Sequence, residues 1–243
     1  MGPLDPFFRI KGEITMWVIA HRGGGALFPE NSLSAFRSVE RLGVDLVECD
    51  VHVSKDGHLM VIHDRSLRRT TGVDRNVEEL TRDELSRLDV GDGKGVPALA
   101  DVMEAIQLPV TVELKSRNTL QALLTFLTHH REWISRLVPI SFYHPLLRAL
   151  ADYYPDLESG ALLAGFPVEP GRVANAARCR FLSLHYEGVS SEYVELCHSQ
   201  DIKLTVWTPN EDSDIRDMIA AGVDGIASDR PDRVLALLSG SNN

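Results

Sequence analysis

A single (β/α)8 barrel is the fold this sequence predicts, on two observations. Short runs rich in Val, Ile and Leu alternate with helical patterns of about ten residues or more, the signature of βα units around a parallel sheet, and eight such units can be counted. The chain of 243 residues also matches the roughly 250 of one such barrel, enough to bury a core without disulfides.

The strands are expected at Met16 to Ala20, Val44 to Val53 with a possible partner at Leu59 to Ile62, Val110 to Leu114, Leu137 to Ser141, Ser159 to Leu163, Phe181 to Leu184, Lys203 to Val206 and Gly225 to Ala227. Helices fit at Ser32 to Arg41, Leu99 to Ile106, Thr119 to Arg131, Pro145 to Tyr154, Ser190 to Ser199, Asp212 to Ala221 and Asp232 to Leu238, with a weaker pattern at Arg172 to Ala177. Asn31 or Ser32 can cap the first of these, and Gly222 closes another as a C′ glycine. The stretch from Arg65 to Pro97 interrupts the alternation after the second strand. Within it, Thr81 and Glu84 form a capping box, and Gly91, Gly93 and Gly95 mark a mobile loop. Residues 1–15 are read as a leader of unknown role, and 16–243 as one domain with its insertion at about 65–97.

The formal charge of -10 argues against binding a nucleic-acid backbone or an anionic membrane surface. A small anionic substrate stays possible, because charge inside a pocket can oppose the net field. Cys49, Cys179 and Cys197 have neither zinc-site spacing nor the density of a disulfide scaffold, which points to a reducing, cytoplasmic setting. No apolar run approaches the roughly 18 residues that span a bilayer, so stable membrane insertion is not expected. Oligomeric state is not legible.

Alternation along the second strand puts Val44, Leu46, Glu48, Asp50 and His52 on one face and Asp45, Val47, Cys49 and Val51 on the other. Two carboxylates about 7 Å apart along a strand are costly to bury unless a cation compensates them. In Pro109-Val-Thr-Val-Glu113-Leu-Lys115, Glu113 and Lys115 oppose Val110, Val112 and Leu114, which adds a third carboxylate. A surface strand of alternating charge is the competing reading. Hard oxygen donors without Cys or paired His favour one Mg2+ or Ca2+ over zinc. Lys115 either holds a phosphate or pairs with Glu113.

His21 and His63 each follow a strand, at the rim where barrels of this kind place catalytic groups. Breaking a phosphodiester requires removing one proton and delivering another, a task suited to two imidazoles. Arg22 offers a planar fork for phosphate oxygens, and Asp64 can orient the His63 ring. The Gly23-Gly-Gly25 run fits neither a lipase, since a GxSxG elbow is lacking, nor a dinucleotide fingerprint, since Phe28 stands where glycine is needed. The other histidines are read as surface or packing groups, with His144 near a strand exit the one to watch.

Taken together these residues resemble the glycerophosphodiester phosphodiesterase family. The resemblance rests on His21-Arg-Gly, Pro29-Glu-Asn31 with Ala35-Phe36, Glu48-Cys-Asp50, Lys55-Asp-Gly57, His63-Asp64, Glu113-Leu-Lys115, Trp207-Thr-Pro-Asn210 and Gly222-Val-Asp-Gly225 leading into Ser228-Asp229. It implies a divalent cation on Glu48, Asp50 and Glu113, acid/base positions at His21 and His63, phosphate contacts at Arg22 and Lys115, and an aromatic at the pocket mouth in Trp207. The expected reaction is hydrolysis of a small glycerophosphodiester to sn-glycerol 3-phosphate and an alcohol, with attack by water or by the glycerol 2-hydroxyl. No residues are visible for the alcohol half, so glycerophosphocholine and glycerophosphoethanolamine are expected to differ by less than about 200-fold in kcat/KM. A lipid phosphodiester substrate, a silent ligand-binding barrel and an unrelated metal hydrolase are the competing readings; the last would call for an HxH ligand pair, which this sequence lacks.

Overall fold

The computed structural model describes residues 16–240, so the expected leader lies outside the described residues. Nine strands form one sheet: β1 (Trp17–Ala20), β2 (Leu46–Val53), β3 (Leu59–Val61), β4 (Val110–Leu114), β5 (Leu137–Ser141), β6 (Gly160–Leu163), β7 (Phe181–His185), β8 (Lys203–Trp207) and β9 (Gly225–Ser228). Eight of them are parallel neighbours, and the β1 pairings with both β9 and β2 close the barrel. β3 is the exception, running antiparallel against the end of β2.

Strand alternation sorts the side chains into two layers. Trp17, Ile19, Leu46, Val138, Ile140, Leu162, Phe181 and Ala227 fill the barrel interior. Val18, Val47, Cys49, Val51, Val110, Val112 and Leu114 face outward and pack with the helices. Val44, expected on the Leu46 face, precedes the strand and packs in this outer layer.

The helices are α1 (Leu33–Leu42), α2 (Arg68–Thr71), α3 (Arg82–Leu85), α4 (Leu99–Ala105), α5 (Thr119–His129), α6 (His144–Tyr153), α7 (Pro170–Ala177), α8 (Ser191–His198), α9 (Asp212–Ala221) and α10 (Pro231–Gly240). Ser32 caps α1 by accepting from the Ala35 N–H at 3.1 Å. Gly222 ends α9 in the left-handed conformation. The α5 pattern stops two residues early: from Arg131 to Arg136 the chain turns into a 3-10 segment, with Trp133 stacked on His130.

The insertion has its own small core, in which Leu67, Val77, Leu80, Leu85, Val90 and Val96 gather around Met60 and Ile62 at the base of β3. Thr81 and Glu84 make the expected capping box. The glycine loop is braced: the Asp89 carboxylate accepts from the N–H groups of Gly91 and Gly93, and Asp89 bridges to Gly95.

The turn that follows β1 is the most constrained piece of backbone near the site. Arg22, Gly23 and Gly24 have φ of 50°, 76° and 81°, and a Cβ on Gly23 would lie 3.0 Å from that of Ala35. Left-handed backbone costs a side-chain-bearing residue on the order of 1–3 kcal/mol. Gly23→Ala is therefore expected to destabilise the fold by on the order of 1–3 kcal/mol, read as a lower urea midpoint with an unchanged m-value; an unchanged midpoint would contradict this account of the turn.

Candidate active site

The interior face of β2 runs Leu46, Glu48, Asp50, His52 towards the carboxyl ends of the barrel strands, and the β2–β4 register sets Asp50 directly opposite Glu113. As a result Glu48, Asp50 and Glu113 bring ligand-capable oxygens to within 4.8 Å of one another. Glu48 and Asp50 are buried, and Glu113 is nearly so.

Such a cluster needs compensation, and two cations of the chain supply part of it. Lys115 Nζ stands 2.9 Å from both Asp50 Oδ1 and Glu113 Oε2. Arg22 Nε lies 3.4 Å from Asp50 Oδ2, while its backbone N–H donates to Glu48 Oε2 at 2.9 Å. The buried Asn31 amide donates to Asp50 Oδ2 at 2.9 Å.

The titration pattern follows from this arrangement. Burial and the adjacent Asp50 charge push the Glu48 carboxyl up to about 8. Burial also tends to raise Asp50, but Lys115 and Arg22 outweigh it and hold this carboxyl well below its ordinary range. Glu113 is raised, mainly by burial, with Lys115 opposing. The fit to a hard divalent cation is good: the donors are all carboxylate oxygens, and the buried Asp50 Oδ1 receives no well-aligned hydrogen bond.

Two histidines flank the cluster, each held through the same ring nitrogen. His21, continuing the interior face of β1, directs Nδ1 to Asp229 Oδ1 at 2.7 Å and Nε2 towards Glu48 Oε2 at 4.0 Å. His63, just past β3, directs Nδ1 to Asp64 Oδ1 at 2.6 Å. An ionised carboxylate only accepts, so Nδ1 carries the proton in both rings and Nε2 is left for other work. Burial acts to lower the His21 pKa, but the hydrogen bond to Asp229 and the nearby Glu48 charge prevail and raise it. His63 is lowered, chiefly by burial.

Other residues hold these pairs in place. Asn210, following β8, donates to Asp229 Oδ2 at 2.9 Å and accepts the Asp229 N–H. Arg69 of α2 donates to Asp64 Oδ2 at 2.6 Å and to both oxygens of Glu30 at 2.7 and 2.9 Å. The Arg69 hydrogen bond holds Asp64 near 2. Asp229, Asn210, Glu30 and Arg69 are given no role by the local sequence pattern, and Asn31 only that of a possible helix cap. All but Arg69 lie in the motifs quoted for the family resemblance, which was the available signal; Arg69 had none, because the fold of the insertion brings it there.

Trp207 ends β8 with its indole N–H donating to Ser183 O at 3.1 Å and its ring packed edge-on against Phe142 and His185. His144 is held by Leu162 O at 2.9 Å, away from the cluster's contacts.

With this geometry in view, comparison with known proteins is direct. Residues 21–233 match the model of the glycerophosphoryl diester phosphodiesterase family. A glycerophosphodiester phosphodiesterase of Caldanaerobacter subterraneus subsp. tengcongensis is 36% identical, over 91% of this chain and 97% of its own. Among solved structures, a glycerophosphoryl diester phosphodiesterase of Silicibacter pomeroyi superposes with a TM-score of 0.88 at 26% identity, covering 98% of each chain. An Oleispira antarctica phosphodiesterase, solved with the product sn-glycerol-3-phosphate, superposes with a TM-score of 0.85 at 25% identity, over 91% of this chain and 96% of that one. The chain is a phosphoric diester hydrolase and belongs to the glycerophosphoryl diester phosphodiesterase family.

The His21–Asp229 contact yields a direct test. Asp229→Asn removes the charge that helps hold the imidazole up, so the His21 pKa is expected to fall, as followed by NMR titration of the ring protons. A His21 pKa unchanged in the variant would show that Asp229 does not tune the ring.

Proposed function

We propose that this chain catalyses divalent-cation-dependent hydrolysis of glycerophosphodiesters to sn-glycerol 3-phosphate and an alcohol, with His21 and His63 as the acid/base pair. One observation carries the reading. Two imidazoles, each oriented by a carboxylate on Nδ1, end β1 and follow β3, the two strands that share the edge of β2 opposite β4, and β2 bears Glu48 and Asp50. Product identity is supported by the Oleispira antarctica relative, whose structure contains sn-glycerol-3-phosphate. The cation is Mg2+ or Ca2+ on the chemistry of its donors.

In this mechanism Arg22 and Lys115 bind phosphate oxygens, both already standing against Asp50 at the mouth of the barrel. A bound cation on Glu48, Asp50 and Glu113 supplies positive charge to the phosphate. His21 takes the proton from the attacking oxygen and His63 delivers one to the departing alcohol. Glu48 Oε2 stands 4.0 Å from His21 Nε2, which places that nitrogen beside the carboxylate cluster. Asp229 and Asp64 keep each Nε2 presented, and Trp207 forms part of the wall of the mouth. We place the enzyme in the cytoplasm, consistent with three buried free cysteines. No helix among the described residues is long and apolar enough to cross a membrane.

The decisive assay is product identification from a panel of glycerophosphodiesters, with and without chelator. His21→Ala and His63→Ala should each lower turnover at least about 10^2-fold while the fold is retained. A substrate with a good leaving group should partly rescue the His63 variant and not the His21 variant; rescue of the other one would reverse the two roles, and near wild-type turnover in either variant would remove that ring from the mechanism.

Cation binding has its own signature. Burial and the Asp50 charge push the Glu48 carboxyl up to about 8, so cation uptake at pH 7 should release protons. Calorimetry in two buffers of different ionisation enthalpy measures it. Full activity of verified cation-free protein would contradict the cluster's assigned role, and uptake without proton release would contradict the raised Glu48 carboxyl.

A further inference from the structure

Beside the carboxylate cluster the barrel mouth opens into a cavity of about 480 Å3, bordered by His52, Arg65, Glu78, Lys115, Ser116 and Asn118. We infer that this cavity binds the alcohol half of the substrate and that it is built for a polyhydroxylated alcohol, glycerol or inositol in kind. The inference rests on the proposed diesterase reaction and adds what that reading leaves open, the class of head group.

Position is the first argument. Lys115, which stands 2.9 Å from Asp50 and from Glu113, forms the wall shared by the cluster and the cavity. His52 Nε2 meets the backbone carbonyl of His63 at 3.0 Å, and Arg65 lies two residues beyond His63. Neither imidazole is among the groups that border the cavity, but His52 and Arg65 tie it to the segment that carries His63, and no bordering group comes from the β1 segment that carries His21. An alcohol whose oxygen is protonated by His63 has this space before it.

The chemistry of the wall selects the occupant. Arg65 Nε donates to Glu78 Oε1 at 2.6 Å, so the Glu78 charge is already matched by a cation. Ser116 Oγ donates to Asn118 Oδ1 at 2.5 Å, which turns the Asn118 amide N–H groups to other acceptors. Val53 supplies an apolar strip, and the ring among the bordering groups is the His52 imidazole, with no Trp, Tyr or Phe beside it. A quaternary ammonium group is recognised by the faces of Trp, Tyr or Phe or by an unmatched carboxylate, and neither stands among the bordering groups. Hydroxyl groups, which both donate and accept, match a guanidinium, a carboxylate, an amide and a hydroxyl set around one volume. The volume itself falls in the range of small-molecule sites.

The test compares three diesters that share the sn-glycerol 3-phosphate half: the glycerol ester, the choline ester and the methyl ester, whose alcohol is too small to reach the cavity wall. The variants are Arg65→Met and Asn118→Ala, and the readout is kcat/KM from product formation. Wild-type protein should prefer the glycerol ester to both others by about 10-fold or more, the worth of one to two net hydrogen bonds. Each variant should lose most of that preference while methyl ester turnover stays at the wild-type level. Equal losses on all three esters, or a preference for the glycerol ester that both variants retain, would overturn the inference. So would a loss that appears only when hydroxyls are removed from the glycerol 3-phosphate half, since that outcome puts the other half of the substrate in the cavity. Wild-type protein that turns over the methyl ester without discriminating among alcohols defeats this inference alone; wild-type protein inactive on every ester defeats the proposed reaction and this inference with it.

Discussion

Three carboxylates facing one another at the mouth of a barrel set the terms for everything around them. The parallel register that pairs Asp50 with Glu113, and the two-residue period that aligns Glu48 with Asp50, bring them together whether or not their charges favour it. Unmatched, such a cluster would cost several kcal/mol. The chain answers with Lys115, Arg22 and the Asn31 amide, while burial and the Asp50 charge push the Glu48 carboxyl up to about 8. The same three carboxylates form a group that could hold a metal ion.

The turn after β1 is where this electrostatic demand meets the backbone. For the Arg22 N–H to reach Glu48 while its guanidinium reaches Asp50, the chain must bend at once after His21. Arg22 adopts φ of 50° to do so, and two glycines carry the bend onward at little cost. The glycine run therefore serves the carboxylate cluster through the backbone.

The insertion does more than cover the barrel. Its Arg69 joins Asp64, which orients His63, to Glu30 in the segment before α1, which in turn lies 3.5 Å from Arg22. One chain of ion pairs thus links the surroundings of both imidazoles. The same insertion contributes Arg65 and Glu78 to the cavity beside Lys115, so a segment outside the barrel's repeating pattern borders the space assigned to the departing alcohol.

Much of this was legible in the sequence, for a physical reason. Strand periodicity is local, so the alternation in β2 and β4 revealed which side chains share the interior face before any pairing was known, and the histidines at strand exits followed from the same pattern. The eight-unit count, the Ser32 cap and the capping box at Thr81 likewise depend on neighbours a few residues apart. What periodicity cannot convey is which exits become neighbours, or what a non-repeating segment brings back to the mouth. Asp229 meets His21 across 208 residues because the barrel closes β9 onto β1. Arg69, Arg65 and Glu78 reach the mouth because Leu67, Val77 and Leu85 bury themselves against Met60 and Ile62. The sequence by itself determined the barrel and the groups that could act on a phosphodiester. Only the tertiary structure decided how the imidazoles are held and what lies beside them, because those contacts depend on ring closure and on the packing of a small separate core.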